Sequence, residues 1–391
     1  MSRSQGKTLN PLLALQGYGQ SVWLDYIQRS LITSGKLKRL MKEDGVRGVT
    51  TNPSIFEKAI HGSSDYTKAL SVLKQEDDWD AKQRYEQLAV WDVRDTADVM
   101  QPVYTQTKGR DGYVSLEVSP HLARETTGTL EEARRLWKAV DRDNSMIKVP
   151  ATPEGIPAIR QLISEGINVN VTLLFAQDTY ERVAEAYLTG LEQYMERGGD
   201  VKGVASVASF FISRMDTAVD ALLVARLHTS ANEAERSVLQ NLQGKIAVAN
   251  AKLTYQRYRA LFSGPRWDAL ARRGAMMQRV LWASTGAKNP KYRDVIYIEE
   301  LIGPDTVNTI PLATLEAFRD HGCPGHRLIE DVEEAQVTLE TLERIGISLK
   351  AVTDRLLDEG LRLFMEAFDA LLMAVDRCCE ADELTSKRCD F

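Results

Sequence analysis

Short runs of apolar and β-branched residues alternate along this chain with longer stretches of helical periodicity. The strand-like runs are residues 21–27, 46–51, 113–118, 146–149, 167–174, 203–211, 279–284 and 306–310. Between them lie amphipathic stretches such as 64–74, 81–103, 129–140, 153–164 and 178–194. Eight strands joined by crossover helices predict an α/β chain folded as a (β/α)8 TIM barrel rather than an open doubly wound sheet. No strand is followed by G-x-G-x-x-G, which argues against a dinucleotide-binding domain.

Two regions exceed a minimal barrel. Residues 216–275 are helical in pattern almost throughout and read as an insertion between strands six and seven. Beyond the eighth strand come further helices, including 348–376, where Leu349, Val352, Leu356, Leu357, Leu361 and Phe364 recur at helical spacing. Such a stripe reads as a packing surface. No repeat, low-complexity segment or Gly/Ser linker divides the chain. It reads as one domain, 1–391, with the barrel over about 17–320 and a C-terminal helical extension over about 321–391.

The strands are not uniformly apolar. Lys148 interrupts Met146-Ile147-Lys148-Val149-Pro150, where an ammonium group would lose its hydration. Taken alone, a lysine at a strand edge reaching water is the commoner arrangement. Four other strands carry the same anomaly, and side chains alternate with period two along a strand. Thr50 and Asn52 share a face, as do Ser115 and Glu117, and as do Asn168, Asn170 and Thr172; Asp25 sits in Val22-Trp23-Leu24-Asp25. In a barrel these inward positions near the strand ends converge on one site. A lysine with two carboxylates and neutral amides and hydroxyls suits Schiff-base chemistry, in which a neutral amine attacks a ketone and Asp25 and Glu117 move protons. The competing arrangement is a structural ion-pair network of the same three groups.

Two segments have the character of phosphate contacts. Arg214 follows Phe210-Phe211-Ile212-Ser213 where a strand passes into a helix, so backbone N–H groups and a guanidinium face the same way. After strand seven, Ser284-Thr285-Gly286-Ala287-Lys288 offers hydroxyls, a turn and a lysine, although Lys288 alone reads as a solvated loop residue.

Composition narrows the classes. The chain has 391 residues, 43% of them hydrophobic, and a formal charge of −6, so the basic footprint of nucleic-acid binding is missing. Residues 1–7 do not lead into a secretory apolar stretch, and no apolar run reaches membrane-spanning length. A cytoplasmic location is expected. Cys323-Pro324-Gly325-His326 has C-x-x-H spacing, but Cys378 and Cys379 are adjacent and do not make the second separated pair of a zinc knuckle. With Cys389, they read as reduced, unrelated thiols. No metal or organic cofactor is expected, because an imine is its own electron sink. The pattern does not specify an oligomeric state.

These segments closely resemble the transaldolase family. Gly48-Val49-Thr50-Thr51-Asn52-Pro53-Ser54 is similar to its T-T-N-P-S signature, and Met146-Ile147-Lys148-Val149-Pro150-Ala151-Thr152 to its Schiff-base lysine segment. Residues 166–175 resemble the G-I-x-x-N-x-T-L-x-F strand, Ser115-Leu116-Glu117-Val118 the S-x-E-V pattern, and Ser209 with Arg214 the S-x-x-x-x-R pattern. The matches keep their order from about residue 17 to 320, and the insertion and C-terminal helices resemble the longer bacterial branch. The resemblance implies an α/β barrel acting on sugar phosphates. Lys148 would form the imine, Asp25 would exchange the proton of the donor's C4 hydroxyl, and Glu117 with Thr172 would hold the proton-shuttling water. Thr50, Asn52, Asn170 and Ser209 would position the dihydroxyacetone unit, and Arg214, Ser284 and Lys288 would take the phosphate. One departure stands out: many shorter members have S-F-R after strand seven, so Lys288 would replace an arginine.

The implied reaction carries dihydroxyacetone from sedoheptulose 7-phosphate to glyceraldehyde 3-phosphate, giving erythrose 4-phosphate and fructose 6-phosphate, a step of the non-oxidative pentose phosphate pathway. A fructose-6-phosphate aldolase-like enzyme would release dihydroxyacetone to water instead; such relatives tend to carry tyrosine where this chain has Phe211. A non-catalytic sugar-phosphate-binding barrel would not need Lys148.

Overall fold

The computed structural model describes residues 10–61, 63–74 and 78–386. The N-terminal residues 1–7, the side chains of Cys378 and Cys379, and Cys389 lie outside the described part. The backbone closes a barrel of eight parallel strands in sequential order: β1 (Gln20–Asp25), β2 (Val46–Thr50), β3 (Tyr113–Glu117), β4 (Ser145–Pro150), β5 (Val169–Leu174), β6 (Ser206–Phe211), β7 (Arg279–Ala283) and β8 (Thr306–Ile310), with β8 returning to pair β1. Each strand-like run of the sequence overlaps one of them. The ends differ by a few residues. β5 begins after Asn168, whose amide donates to the Asp143 and Ser145 carbonyls (2.8 and 3.1 Å) and accepts from the Ala205 N–H (2.7 Å), tying three chain segments together at the strand starts. β6 begins only at Ser206, because Val201–Gly203 forms a single turn of 3-10 helix.

Local sequence explains the connections. The helix Ala81–Gln106 opens on a capping box in which Asp80 and Gln83 satisfy each other's backbone N–H groups. The helices Thr126–Val140 and Gly155–Ile163 carry their buried residues on one face and cover the outside of the barrel. The expected insertion between β6 and β7 consists of four helices, Ser213–Thr229, Glu233–Leu242, Ile246–Leu261 and Pro265–Arg272. The third packs on Val332–Arg344 of the C-terminal region.

The last helix, Leu349–Ser386, decides the shape of the barrel mouth. Its apolar stripe is buried as expected at Val352, Leu356, Leu361 and Phe364. It meets β5 and the helix Ser213–Thr229 at one side and the helices Pro53–His61 and Ala81–Gln106 at the other. Arg124 pairs with Asp358 at 2.5 Å, His121 with Asp369 at 2.7 Å, and Phe368 sets its ring edge-on to Tyr85 at 5.6 Å. The helix therefore lies across the carboxyl ends of the strands. Among the described residues, no helix is long and apolar enough to cross a membrane.

The opposite end of the barrel is filled and polar at once. Trp23 occupies the interior, and Gly48 on β2 makes room for it: a Cβ at Gly48 would stand 2.4 Å from the indole. Beside the indole lies Arg279, buried at the start of β7 and paired with Asp111 at 2.8 Å. Asp111 also accepts from Ser21 (2.7 Å) and the Trp23 indole N–H (3.0 Å), and Arg279 donates to Ser21. Removing one partner of such a pair strands the other charge in protein. Asp111→Ala is therefore expected to cost about 3–5 kcal/mol of stability, read as a lowered midpoint of urea unfolding. An unchanged midpoint would show that the plug contributes nothing to stability.

Candidate active site

Parallel pairing brings the unusual strand residues side by side. Glu117 on β3 is in register with Lys148 on β4, and Lys148 with Asn170 on β5. Asp25 at the end of β1 is in register with Thr50 at the end of β2. Side chains at paired positions of adjacent parallel strands share a face, so the five meet inside the mouth of the barrel.

Lys148 is 5% exposed. Its Nζ lies 2.5 Å from Glu117 Oε1 and donates to the Thr51 carbonyl at 2.8 Å. That carbonyl is available because β2 ends at Thr50 and Pro53 opens a new helix, while the Thr51 hydroxyl is anchored on the Ser115 carbonyl (2.9 Å). Burial pushes the Glu117 carboxyl above its usual range against the opposing pull of Lys148, and the Asp25 charge adds to the rise. Burial raises Asp25 too, opposed by Lys148, the Thr50 hydroxyl and Lys288. Both carboxyls are thereby made better proton acceptors than free carboxylates.

Each group has a fixed orientation. Thr50 donates to Asp25 Oδ1 at 2.9 Å, and its hydroxyl lies 2.5 Å from that of Thr309 on β8. Since Thr50 has one proton, Thr309 must donate to it in turn. Asn170 donates to Ser115 at 2.9 Å and accepts from Ser209 on β6 at 2.7 Å. Thr172 is buried, and its hydroxyl has no hydrogen-bond partner among the described residues. Asn52 supports the backbone, since its side-chain oxygen accepts from the Ile55 N–H (3.0 Å) and caps the helix Pro53–His61. Its amide NH2 is not used in that cap.

A second group surrounds the ends of β6 and β7. Arg214 stands in the first turn of Ser213–Thr229 with its guanidinium 5.6 Å from the Phe211 ring centroid, and Phe211 also packs on Phe175 at 5.4 Å. Ser284 adopts a left-handed conformation (φ 56°), which turns its hydroxyl to within 3.0 Å of Ser213. The Ser213 N–H donates to the Ser284 carbonyl at 3.1 Å, so the loop after β7 is stitched to the helix N-terminus. Farther along that loop, Tyr292 and Tyr297 donate to Asp220 and Asp216. Those aspartates accept in addition from Gly244 and Ala247 of the insertion. Burial pushes Asp216 up to about 7. The insertion thus braces the loop that carries Lys288.

Strand alternation places Ser115 on the correct face but does not show that it anchors Asn170, and it leaves Thr309 out of the site. The signal for Thr309 is present in the chain: Thr306-Val307-Asn308-Thr309-Ile310 has three polar positions in five. Among the described residues, no group of three His, Cys, Asp or Glu side chains is arranged to hold a metal ion.

The arrangement can attack a carbonyl with a buried amine, move protons through two raised carboxyls, and hold an anion beside two cations. Known proteins are similar to this chain over most of its length. Residues 22–375 match the family model described as Transaldolase/Fructose-6-phosphate aldolase. A transaldolase of Trichodesmium erythraeum is 44% identical over 94% of this chain and 97% of its own length. One of Thiobacillus denitrificans is 48% identical over 91% and 97%, and one of Neisseria gonorrhoeae 45% over 92% and 97%. The chain belongs to the transaldolase/fructose-6-phosphate aldolase family.

Proposed function

We propose that this protein is a transaldolase that carries dihydroxyacetone between sugar phosphates, from sedoheptulose 7-phosphate to glyceraldehyde 3-phosphate and in reverse, in the cytoplasm. The observation that carries the reading is the buried Lys148 amine, 2.5 Å from a carboxylate whose affinity for protons burial has raised. Glu117 takes a proton from the ammonium group, and the neutral amine attacks C2 of the ketose. Loss of water from the carbinolamine needs a proton donor, and protonated Glu117, with the Thr172 hydroxyl one step farther along the face, supplies it through water. The protonated imine then draws the C3–C4 bonding electrons toward C2. Asp25 takes the C4 hydroxyl proton, the aldehyde leaves, and a three-carbon enamine stays on Lys148. An acceptor aldehyde enters, the steps run backward, and Asp25 returns its proton to the new hydroxyl.

The remaining roles follow from position. Thr50, held between Asp25 and Thr309, keeps the carboxylate aimed at the cleaved bond. Asn170 and Ser209, linked to each other and to Ser115, offer neutral contacts to the dihydroxyacetone hydroxyls, as does the amide of Asn52. Arg214, Ser284 and Lys288 receive the phosphate. Phe211 places an apolar ring where a phenol would add a proton donor for the enamine, which favours transfer over release.

Lys148→Arg keeps the charge and removes the nucleophile. It is expected to fold and to lose at least about 10³-fold in kcat, while fructose 6-phosphate with borohydride leaves a three-carbon adduct on the wild-type peptide containing Lys148. An adduct on another lysine, or an active arginine variant, would sink the mechanism. Arg214→Ala should lower kcat/KM for phosphorylated donors by about 30- to 1000-fold, the equivalent of roughly 2–4 kcal/mol, and spare unphosphorylated ones. Equal losses on both would make Arg214 a structural residue. Phe211→Tyr should raise the ratio of dihydroxyacetone release to transfer; an unchanged ratio would remove Phe211 from the neighbourhood of the enamine.

A further inference from the structure

The helix Leu349–Ser386 contributes charge as well as cover. Arg214, Lys288 and Arg355 line one cavity of about 410 Å³ between the helix Ser213–Thr229, the loop after β7 and the last helix, and Glu359 lines it too. None of the three cations has a hydrogen bond or ion pair among the described residues. Elsewhere in the chain Arg134 pairs with Glu165, Arg142 with Asp98, and Arg266 with both Glu185 and Glu192, whereas here three cations gather in one cavity. Three cations and one carboxylate leave the cavity with a surplus of two positive charges, which matches one phosphate dianion.

The helix is built to come close at this point. Gly360 lies in its interior, where glycine is disfavoured. A Cβ there would stand 3.0 Å from Leu173 Cδ2 and 3.7 Å from Arg214 Nη1. Absence of that carbon lets the helix settle on the end of β5 and beside the guanidinium. Arg355 and Glu359, four residues apart, project from one face of the helix into the same cavity. Glu359 lies close enough to Arg214 to act on its charge.

We infer that Arg355 is a third cation for the substrate phosphate, delivered by the C-terminal helix, and that Glu359 is the counter-charge the phosphate must compete with. Arg214 and Lys288 belong to the segments that follow β6 and β7, whereas Arg355 belongs to the last helix and meets them across the shared cavity. The pair therefore sets how strongly phosphorylated sugars are preferred over free ones. This inference rests on the sugar-phosphate reading above.

Direct binding of inorganic phosphate, followed by calorimetry, tests the site without turnover. Arg355→Ala should raise the dissociation constant about 5- to 20-fold, and Arg355→Lys should recover part of the loss. Glu359→Gln should move it the other way, tightening phosphate about threefold or more. The ratio of kcat/KM for glyceraldehyde 3-phosphate to that for glyceraldehyde should fall in Arg355→Ala and rise in Glu359→Gln. A merely structural helix would give both variants losses of the same sign. That outcome, or a change within twofold in Arg355→Ala, overturns the inference. Borohydride trapping of fructose 6-phosphate on wild-type Lys148 separates the two failures: without an adduct the reaction is wrong, whereas an adduct with unaltered phosphate binding in Arg355→Ala condemns only the role of the helix.

Discussion

An amine buried inside a barrel must be held by something, and the arrangement around Lys148 follows from that requirement. Glu117 and the Thr51 carbonyl hold it at 2.5 and 2.8 Å. Neither contact is available from β4 itself. Glu117 arrives because β3 pairs with β4 without offset, and the carbonyl because the chain leaves β2 there instead of continuing the ladder. Removing the carboxylate would take away the nearest counter-ion of a buried charge, and removing the amine would leave a buried acid without its ion-pair partner. The pair that makes the chemistry possible is thus also a constraint on how the strands pack.

The two ends of the barrel solve the problem of interior polar groups in different ways. At the amino end, Arg279, Asp111, Ser21 and the Trp23 indole form a closed set whose members satisfy one another. At the carboxyl end the set is left open. Among the described residues, the Thr172 hydroxyl has no partner, the Asn52 cap uses only the oxygen of its amide, and the three cations of the cavity beside the last helix are unpaired. A satisfied network stabilises, whereas donors and acceptors held in place without protein partners are what a ligand can use. The difference between the Arg279–Asp111 set and the groups around Lys148 is the physical distinction between scaffold and site.

The additions to the barrel serve that open end. The insertion ties Asp216 and Asp220 to the tyrosines of the loop after β7, which holds Lys288 in position. The last helix crosses the strand ends and is fastened at Arg124, His121 and Tyr85. A sugar phosphate has its reacting carbonyl and its charge several bonds apart. One rigid body must therefore fix the amine and the cations together.

The sequence by itself determined the eight strands, their inward polar residues and the helical character of both additions. Each of these is a periodicity: alternation of two along a strand and 3.6 along a helix, local properties that a single chain segment carries. Lys148, Asp25 and Glu117 stand out for the same reason, since a charge in an apolar run is anomalous wherever the strand ends up. Strand limits are less legible, because side chains such as Asn168 bond to backbone from other segments and decide where a ladder can begin. Only the tertiary structure decided that Thr51 would lend Lys148 its carbonyl, that Thr309 would support Thr50, and that Arg355 would share a cavity with Arg214. Those partners are separated by 97, 259 and 141 positions, and nothing periodic links residues so far apart. Barrel closure and the path of the last helix bring them together, and both depend on the packing of the whole chain.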